Sequence, residues 1–169
     1  PLTTRLLAQA KERNLIAAGG LSMLIDQAAK ACQRFTGQEV PSAEIERITR
    51  ELEGQIRNIV LIGMPGCGET TMGRLLSEAL GRPFLDMDSI IEKESGLTIP
   101  QIFERQGEEE FRRLERKLAE RIGKERGQVI STGGGIVLHP ENIRNLSQNG
   151  TLIFLDRPIS LLARNGRPL

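Results

Sequence analysis

The sequence predicts an α/β domain, a parallel sheet with helices on both faces, preceded by a small all-helical segment. From residue 58 onward, short and almost wholly apolar runs alternate with longer helical patterns, the rhythm of strand–helix–strand units. Before residue 53 the only periodicity is helical. The expected organisation is a helical piece over 1–52, a linker over 53–57 centred on Glu53-Gly54-Gln55, and the α/β domain over 58–169.

The elements follow in order. Leu2, Leu6, Leu7 and Ala10 make a short helical stripe before a turn at Asn14. Leu21, Leu24, Ile25, Ala28, Cys32 and Phe35 fall on one face of a second helix, with Gly37 as its C-terminal cap. After Pro41, Ser42 can cap a third helix whose apolar side is Ile45, Ile48 and Leu52. Asn58–Gly63 reads as a buried parallel strand. A glycine-rich turn leads into a helix from Thr70 to Leu80, and Pro83–Asp88 reads as a second strand. Helical segments follow over 89–95, 99–106 and 108–125, then a third strand at Gln128–Thr132 ending in Gly133-Gly134-Gly135. A helix begins near Pro140, and Thr151–Asp156 is the fourth strand. In such a sheet, ligands bind at the carboxyl ends of the strands.

Composition narrows the class. Hydrophobic residues make up 38% and charged residues 27% of the chain, a globular mixture. With 23 Lys and Arg against 22 Asp and Glu, the net charge of +1 gives no reason to expect a nucleic-acid partner. Trp and Tyr are absent, which removes base-stacking platforms. The apolar runs fall far below the ~18 residues of a membrane span, and no secretory signal opens the chain. Cys32 and Cys67 match no metal spacing and read as reduced thiols of a cytoplasmic protein. A chain that starts at Pro1 and stops at Leu169 is expected to be a piece of a longer one.

Gly63-Met-Pro65-Gly66-Cys67-Gly68-Glu69-Thr70-Thr71 lies between a strand and a helix. It fits the phosphate-binding spacing G-x-x-x-x-G-K-[ST] everywhere except at the lysine. Such glycines let backbone N–H groups curl around phosphate oxygens, and the helix N-terminus adds partial positive charge. Thr70 is placed to ligate Mg²⁺. The bland alternative is an ordinary strand-to-helix turn. Glu69 changes the local charge by two units relative to lysine. A unit pair at 4 Å is worth ~4 kcal/mol at an effective dielectric of 20, so the exchange is expected to impair the loop.

The second part of the chain resembles shikimate kinase. The resemblance rests on Gly63–Thr71, Phe84-Leu-Asp86-Met-Asp88, Gly107-Glu-Glu-Glu-Phe111-Arg112-Arg-Leu-Glu115, Gly133–Gly135 and Arg167-Pro168-Leu169, in the family's order and spacing. It implies a nucleoside-monophosphate-kinase-like fold, with ATP as co-substrate and Mg²⁺ as cofactor. ATP would bind through Gly63, Pro65, Gly66, Cys67, Gly68, Glu69, Thr70 and Thr71. Asp86 would help Thr70 hold Mg²⁺, and Asp88 would bind shikimate hydroxyls and accept the proton of the attacking one. Asp86 and Asp88, two apart on a strand, would point the same way. Asp88 could instead serve only as a helix cap. Arg112 would clamp the shikimate carboxylate, with Glu115 orienting it, and Gly133, Gly134 and Gly135 would let backbone amides approach the substrate; otherwise they are a flexible turn. Arg167 matches the lid arginine that reaches the phosphates. The remainder of the lid would lie beyond Leu169. His139 reads as a surface histidine.

The first part resembles the C-terminal helices of shikimate dehydrogenase over Pro1–Leu7, Gly20–Ala29 and Phe35–Gly37. There Gln27 would hydrogen-bond shikimate, with Gly20 and Met23 near a nicotinamide; Ser22 departs from the family's usual glycine. The expectation is a fusion of two pathway enzymes, in which the kinase part transfers the ATP γ-phosphate to the 3-hydroxyl of shikimate. An inactive shikimate- and nucleotide-binding remnant, or another small-molecule kinase, are the alternatives.

Overall fold

A computed structural model describes residues 2–162. It divides into two compact units between Arg57 and Asn58.

The first unit holds α1 (Arg5–Glu12), α2 (Gly20–Thr36) and α3 (Ser42–Ile56). Thr4 caps α1 by accepting from the Leu7 N–H. Gly37 closes α2 with φ 71°, a left-handed conformation that glycine adopts without penalty. Ser42 is the first residue of α3 rather than its cap, which is Pro41. The stretch Glu53-Gly54-Gln55, expected as linker, is the last turn of α3. A single exposed glycine costs a helix only ~1 kcal/mol, too little to end it.

The second unit runs β1 (Asn58–Gly63), α4 (Glu69–Leu80), β2 (Phe84–Asp86), α5 (Met87–Ser95), α6 (Ile99–Ile122), β3 (Val129–Ser131), α7 (Pro140–Ser147) and β4 (Gly150–Leu155). The strands form a parallel sheet in the order β2-β3-β1-β4. Side chains alternate across it. Val60 and Ile130 face a core completed by Met87 and Ile91 of α5, Ile102, Phe111 and Leu118 of α6, and Leu146 of α7. On the other face α4 packs close: a Cβ on Gly73 would collide with the Phe84 ring. Helices cover both faces, as expected.

Buried Asn58 ties β1 to the start of β3. Its side chain donates to the Glu125 carbonyl and accepts from the Gln128 N–H, each at 2.9 Å. Helix α6 starts with a reciprocal capping box between Thr98 and Gln101. It absorbs both helices expected over 99–106 and 108–125, with the break surviving as a kink at Gly107, φ 82°.

Candidate active site

The carboxyl ends of β1, β2 and β3 and the N-terminal half of α6 enclose a cavity of about 450 Å³, within the usual size of a small-ligand site. Pro65, Thr70, Asp86, Asp88, Arg112 and Gly133–Gly135 all line it.

The loop after β1 is bent by Gly66 (φ 82°) and Gly68 (φ 101°), angles that a side chain would strain. Gly63 is glycine for space: a Cβ there would stand 2.5 Å from Cys67 Sγ. Helix α4 starts at Glu69, so its first N–H groups face the loop's concavity. Glu69 is 5% exposed, so little water screens its carboxylate. Cys67 is also buried. Burial first, and then the charge of Glu69, push its thiol above the ordinary range. Thr71 is exposed on the first turn of α4.

Thr70 Oγ1 donates to Asp86 Oδ2 at 2.8 Å and lies 3.5 Å from Ser131 Oγ. This cluster of hard oxygens could hold a divalent cation that keeps several waters. Ser131 was not anticipated. Period-two alternation along β3 puts it opposite the core-facing Ile130 and so toward α4, a signal present in the sequence.

The aspartates need a correction. The strand expected over 83–88 ends at Asp86, and Asp88 sits in the first turn of α5. Asp86 is the residue that caps α5, accepting from the Ser89 N–H at 3.0 Å through Oδ1. Its two oxygens thereby serve the cap and Thr70. Asp88 faces the same cavity from the helix, so the two carboxylates converge without sharing a strand face.

The three glycines after β3 are required by contact. None has positive φ among the described residues. A Cβ on Gly133 would lie 3.0 Å from Asp88 Oδ1, one on Gly134 2.5 Å from Pro65 Cδ, and one on Gly135 inside the Arg112 guanidinium. Phosphate loop, Asp88 and Arg112 thus close onto one stretch of backbone, which the flexible-turn alternative does not explain.

Arg112 projects from α6 between two carboxylates. Nη1 reaches Glu115 Oε2 at 3.1 Å, and Nε and Nη2 reach Glu108 Oε1 at 3.2 Å. Burial outweighs the Arg112 charge and raises the Glu115 carboxyl above its usual range. Phe103, Phe111 and Leu138 add an apolar wall that the sequence reading did not assign. His139, expected as a surface histidine, is half-buried, with Arg116 Nη1 3.4 Å from Nε2. Gln27 is exposed on α2 of the first unit. Arg167 lies outside the described residues.

A family model for shikimate kinase matches residues 65–168, and one for the shikimate 5'-dehydrogenase C-terminal domain matches residues 20–49. The shikimate kinase of Caldicellulosiruptor bescii is 49% identical over 110 residues, covering 64% of each chain. That of Caldicellulosiruptor saccharolyticus is 50% identical, over 68% of this chain and 69% of its own. The solved shikimate kinase from Acinetobacter baumannii, in complex with shikimate, superposes with TM-score 0.62 at 40% identity, over 66% of this chain and 62% of that one. The Aquifex aeolicus enzyme gives 0.58 at 41% identity, over 62% of each chain. This chain therefore spans about two thirds or less of the length of most of these relatives. Its α/β unit, with this loop and this cavity, belongs to the shikimate kinase family.

Proposed function

We propose that the protein transfers the γ-phosphate of ATP to the 3-hydroxyl of shikimate. The observation that carries this is the convergence of Asp88, Arg112 and the close-packed glycine backbone on the cavity beside the phosphate loop. Shikimate is a small ring with a carboxylate at one end and hydroxyls at the other. Arg112 offers a planar fork for the carboxylate, and Asp88 a base within the same cavity for the attacking hydroxyl. ATP would lay its phosphates along residues 63–71, with the α4 N-terminus beneath them. Thr70 and Asp86 would hold Mg²⁺ through hard oxygens; when bound, the ion neutralises charge on the β- and γ-phosphates. Catalysis would consist of positioning and electrostatics. The relative solved with shikimate bound supports the substrate assignment.

The match over residues 20–49 supports a dehydrogenase module covalently joined ahead of the kinase, in which Gln27 would bind shikimate. In that reading the dehydrogenase-like piece runs to the end of α3 and the kinase unit begins at Asn58. No helix among the described residues is long and apolar enough to cross a membrane. A second reading, shikimate binding with little turnover, is favoured by one observation, the buried Glu69 at the loop's lysine position. Calorimetric titration with shikimate tests both. Saturable binding that Arg112→Gln abolishes is expected, and a flat titration of the folded protein excludes the assignment.

A further inference from the structure

Arg157 follows β4, which runs parallel to β1 with Leu155 paired to Gly63. That register delivers the residues after β4 to the edge of the sheet where the phosphate loop begins. The guanidinium comes back onto the loop: a Cβ built on Gly68 would lie 3.8 Å from Arg157 Nη1. Its charge reaches the loop interior, where it opposes the rise in the Cys67 thiol. Arg157 is exposed, and among the described residues no carboxylate is paired with it. An uncommitted cation therefore stands beside a phosphate loop that carries a glutamate where a lysine would reach the β- and γ-phosphates.

We infer that Arg157 is a phosphate-contacting residue that supplies, from the β4 side, positive charge that position 69 does not. The inference rests on the nucleotide-binding reading given above. Its chemistry suits the role: an arginine fork meets two phosphate oxygens at once and sheds its water more readily than an ammonium. Position adds to this, because the turn after β4 is short and Pro158 follows directly, restricting the backbone at Arg157. The competing description is a solvated surface arginine with no ligand.

The two are separated by calorimetric titration of Mg·ADP into four proteins: the parent, Arg157→Gln, Glu69→Lys, and the double variant, each checked for an unchanged thermal melt. The expected result is a loss of about tenfold or more on Arg157→Gln in the Glu69 protein, the scale of one charge-assisted contact. The loss should shrink to about threefold or less with lysine at 69. Equal ADP affinity in the parent and Arg157→Gln overturns the inference, as does the same fold loss in both backgrounds. Binding by Glu69→Lys but not by the parent also overturns it, while leaving the nucleotide site standing. No ADP binding by any of the four overturns the nucleotide reading itself, and the inference with it.

Discussion

Arg112 Nη1 lies 3.1 Å from Glu115 Oε2, and the carboxylate it meets is 2% exposed. The pair is thus a buried charge held by a largely buried partner, and breaking such a pair from one side costs far more than removing both members. Arg112→Gln should lower the unfolding free energy by roughly 3 kcal/mol. The double variant Arg112→Gln/Glu115→Gln should recover much of that loss while still failing to bind shikimate. Denaturant titrations of the three proteins provide the check. A double variant less stable than the single one would show that the pair contributes more than it costs to bury.

Glu115 also sets a pH dependence. Burial raises its carboxyl above the ordinary range, with Arg112 only partly offsetting this, so the folded state holds the proton more tightly than the unfolded one. Its stabilising contribution is fully present below the unfolded value, about 4.3, and is lost as pH rises through the raised folded value. Between pH 4 and 7 the stability of Glu115→Gln should therefore improve relative to the parent. A difference that is flat in pH, or runs the other way, contradicts this.

Glu108 occupies Nε and Nη2 of Arg112 with a single oxygen, from a side chain that is 59% exposed. A substrate carboxylate has to take those donors from it. Exposed pairs of this kind are worth about 0.2–1 kcal/mol. Glu108→Gln should accordingly tighten shikimate binding by up to about fivefold, with kcat little changed. Weaker binding in the variant would mean that Glu108 positions Arg112 rather than competing for it.

The charge of Glu69 is readable without any ligand. Cys32 is exposed and Cys67 buried, and Glu69 helps hold the Cys67 thiol protonated. Alkylation of the native protein at pH 8 should label Cys32 first. Glu69→Lys should speed labelling of Cys67 severalfold against Cys32 as internal reference, because the thiolate is the reactive form. An unchanged ratio would place the residue 69 side chain out of electrostatic reach of the loop.

Much of the site was legible because its spacing is local. The loop from Gly63 to Thr71 and the three glycines after β3 stand where strand-to-helix patterning puts them. The shortfalls came from competition between nearby rules. Asp88 reads as strand until Asp86 claims the cap of α5, which ends β2 two residues early. Gly54 reads as a linker, yet one glycine is cheaper than ending α3. Gly107 reads as a break, but capping at Thr98 and core contacts on both sides carry α6 through it as a kink. The approach of Arg157 to Gly68 depends on the β1–β4 register, which no single segment encodes.

The most direct test of the account is shikimate-dependent ADP release from ATP, measured for the protein, for Glu69→Lys and for Glu69→Lys/Arg112→Gln. The expected result is slow release by the parent, release at least about tenfold faster with lysine at 69, since each 1.4 kcal/mol recovered in the loop is a factor of ten, and release near background once Arg112 is replaced. Rates for Glu69→Lys that do not respond to shikimate, or that survive the loss of Arg112, would contradict it.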